Sequence, residues 1–383
     1  MDLDAFFASC EQLEHPAYQG RPVVVGARPG QRGVVAAASY EARRFGIHSA
    51  MPISEAFRRC PDAVFLRPDM EKYRRYSEQV FRILATLAPV VEAASIDEAY
   101  LDVSGLEKLS GTPAAIGREI KQRILTGTGL TASVGIGTNR LIAKLGSDYR
   151  KPDGLTVVPP EQVLDFLAPM PVANLRGLGQ QTRKIFNRLG IRTVAQLRAM
   201  PLPRLEQHLG KKAAAGFHRQ AFGIAPDQIL PDQRRKSISK ETTFETDIRD
   251  HTVLHDALRG LAAEVARTAR REGLSGAVVT LKIRFEGFET CTRQYKHPTP
   301  TNDERDMLKT AWRLFLDGRL PNKPVRLIGI GISGWEADQP AQTDLFDQPE
   351  QQEDNKRLLK TIDAVTEKFG RHLLQVGVPR KPR

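Results

Sequence analysis

The chain is poor in cysteine and has no long apolar run. Of its 383 residues only three are cysteine. Cys10, Cys60 and Cys291 are far apart, odd in number, and belong to no CxxC or Cys/His cluster of zinc spacing, which argues against a disulfide scaffold or a structural zinc site. No stretch approaches the roughly 18 apolar residues of a membrane span. The N-terminus, "MDLDAFFASCEQ", carries acids where a secretory signal would carry basic residues. The expected compartment is therefore the cytoplasm. Acidic residues are also short: the formal charge is +12 and the pI about 9.7, which suits a partner made of phosphates better than a small neutral metabolite. Residues 338–354, "DQPAQTDLFDQPEQQED", hold six acids and no Lys or Arg, so taking them from the +12 total leaves +18 on the rest.

What is present divides into regions. Residues 22–25 ("PVVV"), 34–38 ("VVAAA") and 90–103 read as short buried strands, while 70–87 and 112–126 have helical apolar spacing. This mixture predicts an α+β region ending near "KPDGLTVVPPEQ". After a Pro-rich boundary at 159–171, residues 172–224 lack strand signals and read as all-helical. The polar segment 231–241, "PDQRRKSISKE", has linker composition and precedes a third region. There "TVLHDALRGLAAEVARTARREG" reads as an amphipathic helix, "AVVTLKIRFEGFETCTRQYK" as two alternating strands, "NDERDMLKTAWRLFLDG" as a helix and "PVRLIGIGISGW" as a strand. The expected order is strand, helix, strand, strand, helix, strand, a small α+β sandwich. A final helix is expected over 353–374.

Three clusters carry chemistry. In "VVEAASIDEAYLDVSG" the adjacent Asp97 and Glu98 sit in an apolar run, where two unpaired carboxylates would cost several kcal/mol, so a compensating group is required. At the N-terminus Asp4 reads as the cap of a helix starting at "AFFASCEQ". Asp2 does not fit that role; if it faces Asp97 and Glu98, hard divalent cations would supply the compensation. In "NLRGLGQQTRKIFNRLGI" the Gly177 and Gly179 turn, followed by a helix with Arg183, Lys184 and Arg188, resembles a helix-hairpin-helix that grips backbone phosphates. "HLGKKAAAGF" is a looser second candidate.

"MDLDAFFASCE", "AAASYEARRFGIHSAMP", "SIDEAYLDVSG", "TASVGIGTNRLIAKLGSDYRKPDG" and "LRGLG" occur in the order and approximate spacing of the Y-family DNA polymerases, and the resemblance is closest to the bacterial DNA polymerase IV (DinB) branch. It covers about residues 1–335. It implies an α+β multidomain fold of right-handed polymerase architecture: palm at 1–19 and 71–165, fingers at 20–70, a helical thumb with the helix-hairpin-helix at 166–230, a linker at 231–240, an α+β little finger at 241–336, and an acidic tail at 337–383. It implies error-prone, template-directed translesion synthesis on primer-template DNA from dNTPs, using two Mg²⁺ ions, by a protein expected to be a monomer. Asp2, Asp97 and Glu98 match the metal-binding carboxylates, and the backbone carbonyl of Leu3 matches another metal ligand. Phe7 matches the steric gate against the ribose 2′-hydroxyl, with Phe6 a core residue. Tyr40, Arg43 and Lys151 match the triphosphate contacts. Asp102 matches no metal ligand and is expected to be structural.

Three positions depart from the family pattern. Ala37 stands where many relatives have a hydroxyl residue touching phosphate, Ser39 replaces a common Asn, and only one residue precedes Asp2 where relatives have several apolar strand residues. Either the sequence begins at an internal or misassigned Met, or the palm lacks part of a central strand. In the tail, "QTDLF" resembles the peptide that docks in the bacterial sliding clamp, with Gln342 as polar anchor and Leu345 and Phe346 as apolar anchors. Two rival readings remain: a non-catalytic DNA- and clamp-binding adaptor, which would typically have lost the carboxylates that are present here, and a helix-hairpin-helix nuclease, which leaves "SYEARRFG" unexplained.

Overall fold

In the computed structural model the described residues are 1–106, 111–231, 235–335, 357–359, 361–365 and 368–369. They form two units, Met1–Gln233 and Arg234–Arg383. The clamp-like residues Gln342, Leu345 and Phe346 lie outside the described residues.

The first unit begins with the two-residue β1 (Asp2–Leu3). It pairs antiparallel with β7 (Ala132–Ile136), Asp2 opposite Ser133, and β7 pairs parallel with β8 (Leu155–Val157). On its other side β1 meets the β5 (Val90–Ala93) and β6 (Ala99–Asp102) hairpin: Leu3 donates its N–H to the Asp97 carbonyl at 3.0 Å, and Ala99 donates to the Met1 carbonyl at 3.1 Å. Helices α1 (Phe6–Glu14), α4 (Met70–Ala85) and α5 (Pro113–Thr128) pack over this surface around Leu3, Phe6, Tyr73, Val80, Ile120 and Ile124.

Between α1 and α4 a second small sheet runs in the order β3 (Val35–Ala38), β2 (Val23–Gly26), β4 (Val64–Leu66). The fully buried β2, three valines and a glycine, is its centre, and α2 (Tyr40–Arg43) and α3 (Ile53–Arg59) close its own core of Val24, Ile47, Ile53 and Ala56. Ser39 is the N-cap of α2, its hydroxyl accepting from Ala42 N–H and from Val23 N–H, so this departure from the family's Asn keeps a capping group.

Helix α6 (Arg140–Tyr149) is capped by Asn139 and packs on β7. Gly135 allows this approach, since a Cβ there would meet the Ala143 carbonyl at 2.1 Å and the Ser147 nitrogen at 2.3 Å. The same helix contributes Leu141, Ile142 and Leu145 to the core of the helical region. That region comprises α7 (Val163–Leu167), α8 (Gln180–Arg188), α9 (Val194–Ala199), α10 (Leu202–Leu209) and α11 (Lys211–Ala221), without a strand, as the sequence predicts.

The second unit follows the predicted order, with β9 (Ser237–Ile248), α12 (His251–Arg271), β10 (Gly276–Phe285), β11 (Thr290–Thr301), α13 (Glu304–Asp317) and β12 (Val325–Trp335). The sheet order is β11-β10-β12-β9, all antiparallel. Residues 237–240, assigned to a linker by their polarity, instead open β9: as an outer strand it alternates polar residues with Ile238, which is buried. Along β10, Val279, Leu281, Ile283 and Phe285 are buried with both helices, whereas Thr280, Lys282 and Arg284 alternate with them on the opposite, open face. Of the predicted C-terminal helix, residues 357–359, 361–365 and 368–369 are described and helical. Asp363 accepts from Arg270 of α12 at 2.7 and 2.8 Å.

Candidate active site

The short β1 sets the site. Held between the β5–β6 hairpin and β7, it brings Asp2 level with Glu98 across an antiparallel bridge. Lys144, reaching from α6, lies 2.5 Å from Asp2 Oδ2 and 2.6 Å from Glu98 Oε1. Lys151 lies 2.5 Å from Asp2 Oδ1 and 3.0 Å from Asp148, which also pairs with Lys144.

The electrostatics follow from this arrangement. Burial pushes both carboxyls up. At Asp2 the two ammonium groups outweigh burial and the net shift is downward. Glu98 has one ammonium and the nearby Asp2 charge, and its pKa stays raised. Lys144 is held charged, since its two carboxylate partners overcome the effect of burial.

The sequence-predicted carboxylates are not all alike in placement. Asp2 and Glu98 converge on one cationic point. Asp97 lies at the same turn, but its carboxylate accepts from Ser95 Oγ at 2.6 Å while its backbone carbonyl ties down Leu3. Among the described residues no group of three or more His, Cys, Asp or Glu is gathered as a metal cluster. The donor set still fits hard divalent ions: all its atoms are oxygens, and two carboxylates already focus on a single positive charge. Asp102 accepts from Ser104 N–H at 3.0 Å, a bond that ties the turn after β6.

Asp4 is not a helix cap. The residue before α1, Ala5, has a left-handed conformation (φ 46°) and no side chain caps the helix. Asp4 is buried and accepts from Ser133 Oγ at 2.8 Å, Tyr40 hydroxyl at 3.3 Å and Asp153 N–H at 2.8 Å. Three tertiary donors capture a side chain that local sequence would assign to the helix.

That network orients the nucleotide candidates. Burial and the neighbouring Asp4 push the Tyr40 phenol up, so it remains a hydrogen-bond donor. Arg43 donates its Nε to the Ala38 carbonyl at 3.0 Å, and its guanidinium lies over the Tyr40 ring at 4.6 Å. Phe6 is buried in the core, whereas Phe7 is only half-buried and stacks on Tyr73. Lys144, Asp148, Ser133 and Tyr73 are contributors that sequence reasoning missed. A signal existed for the first two: they stand at i and i+4 on one helix, seven and three residues before Lys151.

In the helical region Gly177 has φ 79°, and no heavy atom lies within 4 Å of where a Cβ would stand at Gly177, Gly179 or Gly210. Gly179 precedes α8 without a side-chain cap, leaving the first N–H groups of the helix facing open space beside Arg183 and Lys184. The loop is held from below by Gln220, whose side chain accepts from Arg176 N–H at 3.0 Å and donates to its carbonyl at 3.1 Å.

Comparison with known proteins agrees with this geometry. Residues 1–148 match the impB/mucB/samB family, residues 235–345 its C-terminal domain, and residues 173–224 the thumb domain described for DNA polymerase-iota. The chain is 45% identical over 335 residues to DNA polymerase IV of Alkalilimnicola ehrlichii, spanning 87% of this chain and 94% of that one. DNA polymerase IV of Dehalococcoides mccartyi is 39% identical over 386 residues, 98% and 96% of the two chains. A Y-family DNA polymerase chimera of Dbh and Dpo4 superposes with a TM-score of 0.77 at 29% identity, covering 88% of this chain and 98% of that one. The chain belongs to the Y family of DNA-directed DNA polymerases, the translesion enzymes. Within that family it falls in the DNA polymerase IV branch. Among the described residues no helix is long and apolar enough to cross a membrane.

Proposed function

We propose that this chain extends a primer 3′-hydroxyl from dNTPs at a site built on Asp2, Asp97, Glu98 and the Leu3 carbonyl, with two Mg²⁺ ions as cofactor. The observation that carries the reading is the convergence of Asp2 and Glu98 on one cationic point beside Lys151. When bound there, divalent ions lower the pKa of the attacking hydroxyl and stabilise charge on the triphosphate and departing pyrophosphate.

The protein's own groups do the rest. Asp2 and Glu98, on strands fixed by backbone pairing, hold the hard-cation point in place. Asp97 completes the set by turning from Ser95, a change of side-chain rotamer on an unchanged turn. Tyr40 offers an O–H, Arg43 a planar fork and Lys151 a point charge to the triphosphate oxygens. Phe7, half-buried and stacked on Tyr73, serves as the gate against the ribose 2′-hydroxyl. The Gly177 and Gly179 turn with Arg183 and Lys184 grips backbone phosphates, and the open face of the second sheet offers Lys282 and Arg284 for the same purpose. We assign residues 1–19 and 71–165 to the palm, 20–70 to the fingers, 166–230 to the thumb and the domain from Ser237 to the little finger. The protein acts as a monomer, and the peptide at 342–346 recruits a sliding clamp.

Primer extension tests the assignment. The protein with Mg²⁺ is expected to extend a primed template, while Asp97→Asn and Glu98→Gln are each expected to slow extension about 10³-fold or more, roughly 4 kcal/mol. DNA binding by fluorescence anisotropy should survive both changes. Normal extension by either variant would remove the metal assignment, and absence of extension by the parent protein would remove the polymerase reading.

A further inference from the structure

We propose that the outer face of α12 and α13 in the second unit is a docking site for an acidic amphipathic helix of another protein. Two stripes run side by side along α13. Leu308, Trp312 and Leu316, spaced by four residues, form an apolar one, and Arg305, Lys309 and Arg313, also spaced by four, form a basic one next to it. With His255 of α12 they border a groove of about 430 Å³.

The floor of the groove is fixed. Trp312 stacks on Phe315 with ring centroids 5.0 Å apart, and His255 meets it edge-on at 4.8 Å. Trp312 nevertheless remains half-buried and Leu316 is 56% exposed. Met307, Thr310 and Ala311 fill the core from α13 and Leu308 and Trp312 pack against it in part, so what is surplus to folding is Leu316 and the outer edges of those two side chains. The basic edge is held as well: Arg313 lies over the Tyr295 ring at 4.5 Å, and Arg305 pairs with Asp303 at 2.9 Å.

The chemistry selects the occupant. An apolar stripe of about two helical turns matches the i, i+4, i+7 anchors of an amphipathic helix, and the basic stripe along one side calls for acids along the matching edge. A nucleic-acid backbone would satisfy the charges and leave Leu308 and Leu316 uncovered. A second copy packed symmetrically on this face would bring basic stripe against basic stripe, and the chain's own acidic residues 338–354, broken by Pro340 and Pro349, lack the i, i+4, i+7 apolar spacing. Asp317, at the C-terminal end of the groove, favours the positive N-terminal end of the incoming helix there, which sets the partner antiparallel to α13.

The test uses the full chain and a fluorescein-labelled helical peptide of about 18 residues, with leucines at i, i+4 and i+7 and glutamates along one edge. Saturable binding is expected, at least tenfold weaker for Leu316→Glu and for Lys309→Glu. It should be lost when the peptide's glutamates are replaced by lysines and unchanged when primer-template DNA is added. Both substituted residues are exposed, and primer extension by the variants checks that the chain is intact. No saturable binding, equal binding of the lysine-edged peptide, or insensitivity to Leu316→Glu would overturn the proposal. Displacement of the peptide by a single-stranded oligonucleotide would also overturn it, assigning the face to nucleic acid.

Discussion

The Phe7 ring lies flat on the Tyr73 ring, with centroids 4.2 Å apart and planes 11° from parallel. Tyr73 is fully buried and donates to Glu11 Oε1 at 2.6 Å, while Glu11 Oε2 takes Lys72 at 2.8 Å. A buried phenol, acid and ammonium thus hold the wall behind Phe7, the support that the proposed gate requires. Phe7→Ala is expected to relax selection of dNTP over rNTP by about tenfold or more, some 1.4 kcal/mol. Single-nucleotide incorporation kinetics read this directly, and unchanged selectivity would strip Phe7 of the gate role.

Asp4 predicts a stability effect. Its removal leaves buried Ser133 and the Tyr40 hydroxyl without their acceptor, together with Asp153 N–H. Asp4→Ala should destabilise the first unit by about 3 kcal/mol, whereas a surface helix cap would cost nearer 1. Urea unfolding separates the two. Asp4→Asn, which keeps an acceptor oxygen, should recover part of the loss.

The thumb glycine predicts a loss that is indifferent to DNA sequence. Gly177 has the positive φ that an L side chain resists by about 1–2 kcal/mol. Gly177→Ala should therefore weaken duplex binding to a similar degree on unrelated sequences. Lys184→Ala should lower the slope of log K against log salt by about one, the signature of one phosphate contact. Sequence-dependent loss in anisotropy titrations would contradict this reading.

The acidic peptide predicts a partner effect. Deleting 342–346 should abolish or strongly weaken binding to an immobilised sliding clamp while distributive primer extension stays at the parental rate. Equal clamp affinity before and after deletion would discard Gln342, Leu345 and Phe346 as anchors.

The elements legible in the sequence were those whose periodicity is local. The α12 helix, the β10 alternation and the buried β2 run follow directly from residue spacing, and the adjacent Asp97 and Glu98 announced a charge problem. The solution to that problem was not local. Lys144 is 46 residues from Glu98 and 142 from Asp2, and its spacing from Asp148 and Lys151 marks a charged helix face without naming those two carboxylates as its partners. Asp4 failed for the same reason: its acceptor atoms answer to Ser133, 129 positions away, rather than to the helix beside it. The polarity of 237–240 suggested a linker because an outer strand with one solvated face resembles one in composition.

The two-residue β1 also governs when this enzyme can be born. Its backbone is held on one side by residues 97–99 and on the other by residues 131–133. During synthesis the strand can therefore meet the β5–β6 hairpin only after about 100 further residues are made, and β7 only after about 130. Such distant pairing is slow to form, and a chain halted before β7 holds Asp2 on a strand with only one of its two neighbours.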